Sequence, residues 1–314
     1  EVVVQDDQAK PEQGVPLANK YIGEGLKILI SGSYSGATRA AAGVFQNAKI
    51  PYVSAYAINP DITRAGNYMF RTSFMGDVQG RVAPKLISEL LKKQKVTLLT
   101  LNNEFGQALA VGFKDAAPKF GVQILSEYTY AMGDRQFGSV VASVKRDNPE
   151  VLYVTGYFFN AGPLVAQLRA GGVTATIVGT EGIDTHNFIS IAKDAAEGVI
   201  ITTSLDRDTK LPEMRKFIDD YEKRYNVGAE MVAASTHTAV NVVAAAMRKA
   251  GPDDPAKLRD AIAATKDLPV ATGRITFNSL GEVYKAAQIQ IIKDGKFHYY
   301  AVIDDPVFLA PPTR

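Results

Sequence analysis

The feature that most constrains the fold is an alternation of short apolar runs with amphipathic helical patterns, which extends from residue 27 to residue 203. The apolar runs are continuous rather than interrupted by polar residues, which is typical of parallel strands buried on both faces. Strands and helices at this spacing predict right-handed βαβ units and open, doubly wound sheets, so the fold class is α/β. We predict strands over 27–31, 52–55, 96–101, 122–126, 151–155, 176–179 and 199–203. Helices are predicted over 106–120, 137–146 and 162–171, and around the apolar stripe Val82, Leu86, Leu90 and Leu91.

The pattern changes near residue 206, after which helical periodicity dominates. Helices are predicted over 213–225, 233–249 and 255–265. The pair Asp294-Gly295, flanked by apolar runs over 288–292 and 297–302, predicts a β-hairpin. The first seven residues, Glu1 to Asp7, look like the inside of a strand, and we expect a further segment upstream in the precursor or a trimmed chain.

Length and composition restrict the possible functions. A chain of 314 residues is long enough for two ordinary domains. The net charge is only +2, which gives no reason to expect a nucleic-acid partner. There is no cysteine, so disulfides and thiolate metal sites are excluded. No apolar stretch approaches the roughly 20 residues that a membrane-spanning helix needs.

The sequence offers no catalytic constellation. The three histidines, His186, His237 and His298, are far apart, and no two have the spacing of metal ligands. No Ser–His–Asp set falls on plausible loops. The loop after the first predicted strand, Ser31 to Thr38, is neither a phosphate-binding loop nor a nucleophile elbow, because Tyr34 stands at the centre of Gly32–Gly36. We therefore expect a binding protein with no enzymatic activity, no cofactor and no metal.

Ligands of open parallel sheets bind beyond the carboxyl ends of the strands, so the loops there hold the candidate site. Small hydroxyl residues and glycines over 31–38 could present N–H groups and Ser35 to an anion at a helix N-terminus, although plain N-capping is the alternative. The aromatic run Tyr157–Phe159 is open to interpretation as core or as binding surface. Glu181 is the one acid at the end of its strand and suits a ligand ammonium, with a salt bridge or a solvated loop acid as the alternative.

Taken in order, these segments resemble the periplasmic leucine/isoleucine/valine-binding proteins, which are type I solute-binding proteins of ABC transporters. The resemblance runs from residue 1 to about residue 300. It is carried by Val4-Gln5-Asp6-Asp7, Ser35, Asn59-Pro60-Asp61-Ile62-Thr63, Phe70-Arg71-Thr72, Gln79-Gly80, Gly106, Gly156-Tyr157, Gly179-Thr180-Glu181-Gly182 and Asp194-Ala195-Ala196-Glu197-Gly198.

The resemblance implies two doubly wound lobes joined by three crossover segments near 75–77, 203–205 and 284–287. One lobe would comprise residues 1–76 with 205–283, and the other residues 77–204 with 284–314. The family's first strand and helix are expected to be absent from this chain, which would leave the first lobe without a central strand.

The resemblance also implies a set of ligand contacts. Ser35, beside Tyr34 in its loop, matches the hydroxyl that holds a ligand carboxylate, and Ala57 and Ile58 match the pair that grips the amino acid's charged groups. Phe105 and Tyr157 match the aromatics that cover the ligand, and Glu181 matches the acid that receives its ammonium. Two positions depart from the pattern: Ile58 replaces a threonine, and Ala234 stands where an aromatic often lines the pocket.

From this resemblance we expect an extracytoplasmic, monomeric solute-binding protein that closes by a hinge around an amino acid with a branched, aromatic or other apolar side chain. Its partner would be the membrane permease of an ABC importer. It would lie in the periplasm, or on a lipid anchor in a Gram-positive cell. Two alternatives keep the fold: a binder of a non-amino-acid carboxylate such as an aromatic acid, and a ligand-sensing regulatory domain. The remaining alternative is an α/β enzyme that acts on a nucleotide or a sugar.

Overall fold

The computed structural model describes residues 2–314, which form two parallel-stranded regions flanked by helices. The strands are β1 Leu29–Ser31, β2 Tyr52–Ser54, β3 Met69–Arg71, β4 Lys95–Leu101, β5 Gln123–Tyr130, β6 Val151–Thr155, β7 Thr176–Gly179, β8 Ile200–Thr203, β9 Leu268–Val270, β10 Gly273–Ile275, β11 Ala287–Lys293 and β12 Lys296–Ile303. The helices are α1 Pro11–Gly23, α2 Ser35–Ala48, α3 Asp61–Arg64, α4 Gly76–Lys85, α5 Glu104–Ala116, α6 Gly138–Asp147, α7 Phe158–Ala170, α8 His186–Ala192, α9 Pro212–Tyr225, α10 Met231–Ala250 and α11 Pro255–Ala263. The predicted α/β class is confirmed.

A three-stranded parallel sheet, in the order β1-β2-β3, forms the first region. One of its faces is covered by α1 and α2 through Ala18, Ala41 and Phe45. The other face packs against α10 and α11 through Val242 and Ile262. Helices on both faces are the reason why these strands read as continuous apolar runs.

A seven-stranded sheet, in the order β12-β11-β8-β7-β6-β4-β5, forms the second region. Strands β4 to β8 are parallel, and the hairpin β11–β12 adds to β8 in the antiparallel sense. Alternate residues of β4 enter different cores, since Leu99 faces one cluster and Leu98 the other. The chain leaves this sheet after β8, at residue 203. It returns after β10 and completes the sheet with β11 and β12.

The first residues are the clearest error of the sequence prediction. Residues 2–7 form no strand, and Val2 and Val4 are 88% and 87% exposed. A β-branched run becomes a strand only where a neighbouring strand accepts its hydrogen bonds, and no described strand lies beside this run. Glu1 lies outside the described residues. The sequence prediction also omitted β3 and α1, whereas the Asp294-Gly295 hairpin is confirmed.

Helices α4 and α5 approach each other closely through two glycines. A Cβ added at Gly80 would lie 2.2 Å from the carbonyl oxygen of Leu109, and one added at Gly112 would lie 2.1 Å from that of Asp77. Backbone atoms cannot yield as a side-chain tip can, so any larger residue must separate the helices. This contact fixes α4, which begins within the first proposed crossover.

We therefore expect Gly80→Ala to lower the free energy of unfolding by about 1–3 kcal/mol, the usual effect of overpacking. Gly43→Ala is the matched control, because Gly43 also lies inside a helix but its added Cβ would meet no described atom within 4 Å. The control should raise stability by up to about 1 kcal/mol, since alanine favours helix over glycine. Urea unfolding of both variants checks this, and equal effects in the two would contradict the packing analysis.

Candidate functional site

A cavity of about 180 Å3 lies between the two regions, at the carboxyl ends of their parallel strands. The loops after β1 and β2 contribute Tyr34, Ser35, Tyr56 and Ala57. The loops after β4, β6 and β7 contribute Phe105, Tyr157 and Glu181 from the opposite side. The start of α10 closes a third side with Glu230, Met231 and Val232. Because neither region forms this wall alone, the cavity exists only while the two regions are close together.

The N-terminus of α2 forms one end of the cavity. Ser35 is the first residue of this helix, and no described side chain caps the helix start. The first N–H groups of a helix have no partner within the helix and carry a partial positive charge, so they suit an anion. The Ser35 hydroxyl oxygen accepts a hydrogen bond from the backbone N–H of Ile58 at 3.1 Å, which ties the two loops together. Its own proton remains available for an acceptor in the cavity.

Aromatic rings cover the cavity from both sides. Tyr34 stacks on Tyr157 with 4.1 Å between ring centroids, and Tyr157 stacks on Phe105 at 4.7 Å. Tyr34 belongs to the first region and the other two rings to the second, so this stack crosses the cavity. Of the aromatic run Tyr157–Phe159, Tyr157 is buried in the core cluster and also lines the cavity. Phe158 lines the cavity and packs against that cluster, whereas Phe159 only packs against the cluster.

Glu181 is the chemically distinctive residue of the wall. It is 2% exposed, and neither carboxyl oxygen accepts a hydrogen bond from any residue of the described chain. The Gln79 amide donates one N–H to the carbonyl oxygen of Thr202 at 3.3 Å. It lies near enough to Glu181 to lower the pKa of that carboxyl, although it makes no hydrogen bond of normal geometry with it. Burying a carboxylate without a partner is costly, so such a group either stays protonated or awaits a cation.

The surroundings of Glu181 favour its neutral form. Burial raises the pKa of the Glu181 carboxyl to about 8, and the negative charge of Asp184 adds to the rise. The cations of Arg71 and Lys285 act in the opposite direction but do not outweigh the burial. A ligand ammonium placed against this carboxyl would supply the missing counter-charge.

The other acids near the cavity already have partners. Asp184 accepts hydrogen bonds from the Arg207 guanidinium and from the Thr203 hydroxyl. Glu230 accepts from the Thr185 hydroxyl at 2.6 Å and from the backbone N–H of His186 at 3.2 Å. Glu230 therefore joins the start of α10 to the start of α8 across the cavity. The sequence analysis missed Glu230, because a glutamate before an apolar helix gives no signal beyond helix capping.

Six of the eight predicted site residues line the cavity, namely Tyr34, Ser35, Ala57, Phe105, Tyr157 and Glu181. Ile58 does not, because its side chain is fully buried in the core cluster of the second region and its N–H is engaged by Ser35. Ala234 does not either. Of the residues in α10, only Met231 and Val232 line the cavity, and Ala234 is buried in the apolar cluster that contains Leu205 and Met214.

Two further observations concern metal binding and membrane-spanning helices. Within residues 2–314, no group of three or more histidine, aspartate or glutamate side chains is arranged to hold a metal ion. No helix in the same range is both long and apolar enough to cross a membrane.

Comparison with known proteins gives one consistent result. Residues 1–296 match the profile of a family described as "Periplasmic binding protein". The chain is 28% identical over 287 residues to the leucine-, isoleucine-, valine-, threonine- and alanine-binding protein of Pseudomonas aeruginosa, a match that covers 90% of this chain and 76% of that protein. It is 30% identical over 280 residues to the Leu/Ile/Val-binding protein BraC3 of Rhizobium johnstonii, with coverage of 88% and 76%.

Solved structures agree with these relatives. The crystal structure of a leucine binding protein from Thermotoga maritima superposes with a TM-score of 0.93 at 25% identity, and the match covers 97% of this chain and 87% of that one. A solute binding protein from R. palustris in complex with benzoate superposes with a TM-score of 0.89 at 21% identity, covering 96% and 84%. At that identity the second likeness establishes the fold alone.

The raised pKa of Glu181 predicts how the free energy of unfolding depends on pH. Between about pH 4.5 and pH 8 the unfolded chain releases a proton that the folded protein retains, so the Glu181 contribution to stability falls as the pH rises through this window. Glu181→Gln removes the titration. We expect it to raise the free energy of unfolding at pH 8 by about 2–4 kcal/mol over wild type, and to have little effect at pH 4.5.

Denaturant unfolding at the two pH values measures this difference. Glu12→Gln is the control, since Glu12 lies on the exposed surface of α1. A Glu181→Gln effect that is the same at both pH values would show that the buried carboxyl is ionised throughout.

Proposed function

The chain belongs to the family of periplasmic binding proteins, and from that premise we propose that it is the solute-binding component of an ABC importer, which closes around an amino acid with an apolar side chain. The observation that carries this proposal is the cavity, which has an uncapped helix N-terminus at one end and the unpartnered carboxyl of Glu181 in its wall. These two features complement the carboxylate and the ammonium of a free amino acid.

The two regions are proposed to be lobes that move as units. The first comprises residues 1–76 with 205–283, and the second residues 77–204 with 284–314. The arrangement of the sheets supports this division, because β1 to β3 and β4 to β8 belong to different sheets and β11–β12 return to the second. The proposed hinges are the crossover segments near 75–77, 203–205 and 284–287.

The ligand carboxylate is proposed to bind the first lobe. Ser35 donates its hydroxyl proton, and the N–H groups of the first turn of α2 lie beside it with the positive end of the helix dipole. Ala57 supplies backbone contacts at the same edge of the cavity, where its side chain is too small to interfere. The aliphatic or aromatic side chain of the ligand would lie against Phe105, Tyr157 and Met231.

The ligand ammonium is proposed to bind Glu181 in the second lobe. The cavity wall holds three carboxyl groups, on Glu181, Asp184 and Glu230, and none of its lining residues is a lysine or arginine. A wall of this charge favours a ligand that carries a cation as well as an anion. For this reason we prefer an amino acid to the alternative ligand, a carboxylate such as an aromatic acid, which would leave Glu181 uncompensated.

Closure of the lobes is proposed to bring the two ends of the site together. Several contacts join the two regions, among them the Tyr34–Tyr157 stack, the Glu230–Thr185 hydrogen bond and a 2.6 Å ion pair between Arg39 and Glu104. Contacts of this kind exist only in the closed form, so a ligand that bridges the lobes shifts the population toward it. Each buried, charge-assisted contact contributes about 1.5–3 kcal/mol, which makes micromolar affinity attainable.

The remaining parts of the proposal concern setting and partners. The protein would act as a monomer outside the cytoplasmic membrane, in the periplasm or on a lipid anchor, and its closed form would be recognised by the membrane permease. It would release its ligand unchanged. A ligand-sensing domain of the same fold is the second candidate, and binding of the closed form to a permease rather than to a regulatory partner distinguishes the two.

Isothermal titration with leucine and with 4-methylpentanoate tests the proposal, because the second compound is leucine without its ammonium group. We expect leucine to bind in the micromolar range and 4-methylpentanoate at least about tenfold more weakly. Glu181→Ala should weaken leucine binding by about 10- to 100-fold and remove the preference between the two compounds. Glu12→Ala, on the exposed surface of α1, is the matched control and should bind as wild type does.

Equal affinity of the wild-type protein for the two compounds would refute the ammonium role of Glu181. Tighter binding of benzoate than of leucine would favour the carboxylate alternative.

A further inference from the structure

Arg207 lies just beyond the second crossover segment and contacts both regions of the protein. Its Nε donates to the carbonyl oxygen of Ala229, close to the start of α10, at 3.2 Å. Its Nη1 donates to the side-chain oxygen of Gln290 in β11 at 3.1 Å, and its Nη2 donates to the carboxylate of Asp184. The guanidinium also lies over the ring of Phe297 in β12, 4.5 Å from the ring centroid. These contacts hold the side chain in one position, yet the binding mechanism proposed above gives it no role.

The carboxylate that Arg207 contacts belongs to the cavity wall. Asp184 lines the cavity together with Glu181, and the backbone N–H of Asp184 donates to the carbonyl oxygen of Glu181 at 3.1 Å. Both acids thus lie in one tight turn, residues 181–184, which we call the acidic turn. The side chain of Asp184 is fully buried and that of Arg207 is 12% exposed, so water screens their ion pair little. The charge of Arg207 therefore acts on the cavity wall at short range.

The two acids of the acidic turn differ in whether the protein supplies a cation. Asp184 has Arg207 and also accepts a hydrogen bond from the Thr203 hydroxyl. Neither carboxyl oxygen of Glu181 accepts a hydrogen bond from the described chain. Arg207 does not line the cavity itself, so its guanidinium neutralises one acid without occupying the space of a ligand. One carboxyl of the acidic turn is thus left for a cation of the ligand.

Glu230, the third acid of the cavity wall, is engaged in a different way. Its Oε1 accepts from the Thr185 hydroxyl at 2.6 Å and from the backbone N–H of His186 at 3.2 Å. It lies outside the acidic turn, and its described ion-pair and hydrogen-bond partners do not include Arg207. A substitution of Arg207 therefore removes the counter-charge of Asp184 and leaves the partners of Glu230 as they are.

We propose that Arg207 is a specificity-determining residue of the ligand site: because it neutralises Asp184, the acidic turn accepts one ligand cation rather than two, and amino acids with a neutral side chain bind in preference to amino acids with a cationic one. This inference rests on the proposed function, in which the ligand ammonium contacts Glu181. A second ammonium in the cavity would lose its water without gaining an unpaired carboxylate of the acidic turn, and burial of such a charge is unfavourable. Without Arg207, Asp184 would be a buried carboxylate without a cation, and a cationic ligand side chain would supply one.

Norleucine and ornithine test this proposal, because ornithine carries an ammonium where norleucine has its terminal methyl group. In isothermal titration we expect the wild-type protein to bind norleucine at least about tenfold more tightly than ornithine. Arg207→Met removes the cation and keeps an unbranched side chain against Phe297. It should reduce the preference for norleucine by about tenfold or more, the effect of one buried, charge-assisted contact. An unchanged preference would overturn the proposal, as would tighter binding of ornithine than of norleucine by the wild-type protein.

Arg207→Lys separates the charge of this residue from its role in packing. Lysine keeps a cation for Asp184, but its single ammonium lacks the planar fork that reaches Ala229 and Gln290 at the same time. We expect this variant to retain the wild-type preference for norleucine, even where it binds both ligands more weakly. If it loses the preference as Arg207→Met does, the residue acts by positioning the start of α10 and the inference fails. Lys216→Met is the matched control, because it removes a cation from an exposed ion pair on α9 and should leave the preference unchanged.

A double-mutant cycle identifies the carboxylate that responds. In the Arg207→Met, Asp184→Asn variant no additional carboxylate remains in the acidic turn, so the preference for norleucine should return to its wild-type value. A gain in ornithine binding that persists in this variant would arise from repacking of the cavity and would contradict the proposal.

The single variant Asp184→Asn provides a test that does not depend on the folding of Arg207→Met. It leaves the guanidinium without its counter-charge behind the acidic turn, so it should increase the preference for norleucine by about three- to tenfold. A decreased preference would overturn the proposal, and thermal unfolding verifies that each variant is folded. Failure of the wild-type protein to bind leucine or norleucine overturns the proposed function and this inference with it. Normal binding with a preference that ignores Arg207 overturns the inference alone.

Discussion

A carboxyl group that is buried without a cation is the constraint on which the site depends. Among the other buried charges, Arg71 and Glu282 neutralise each other, and so do Asp184 and Arg207. Glu181 has no such partner in the described chain, and its burial makes the charged form unfavourable. On the proposed function, the electrostatic requirement of this site would be met by the ligand rather than by a side chain. Binding sites are commonly less stable than the rest of the structure for this reason.

The residues around this carboxyl form a rigid frame. The Arg71 guanidinium donates to the carbonyl oxygens of Ala57 and Asn59, and its Nε donates to Glu282. One fully buried side chain thus fixes the loop after β2 against the segment that precedes the third crossover. The backbone N–H of Gly76 donates to the carbonyl oxygen of Ile58 at 2.7 Å, which fixes the same loop against the first crossover. On the proposed function, ligand groups would therefore meet donors that are already in position, which reduces the conformational entropy lost on binding.

The fold and part of the site could be predicted from the sequence, because both follow from local patterns. Continuous apolar runs identified β4 to β8, and the strand-end rule led to Ser35 and Glu181, which line the cavity. Their role in binding stays a prediction. Tertiary contacts account for what was missed. Glu230 is an ordinary charged residue in sequence, and only the folded chain brings it to the wall of the cavity. Ile58 and Ala234 do not line the cavity, because the resemblance to a family fixes a position in the chain but not the direction of a side chain.

The ionisation of Glu181 is the quantity that tests the account most directly. Carbon-13 NMR of the protein with labelled glutamate carboxyls can follow it, with the Glu181 resonance assigned by its absence from the Glu181→Gln spectrum. At pH 7 we expect this resonance at the position of a protonated acid before leucine is added, and at the position of an ionised carboxylate when leucine is saturating. A carboxylate that is ionised without leucine, or that does not respond to it, would contradict the claim that the ligand supplies the missing cation.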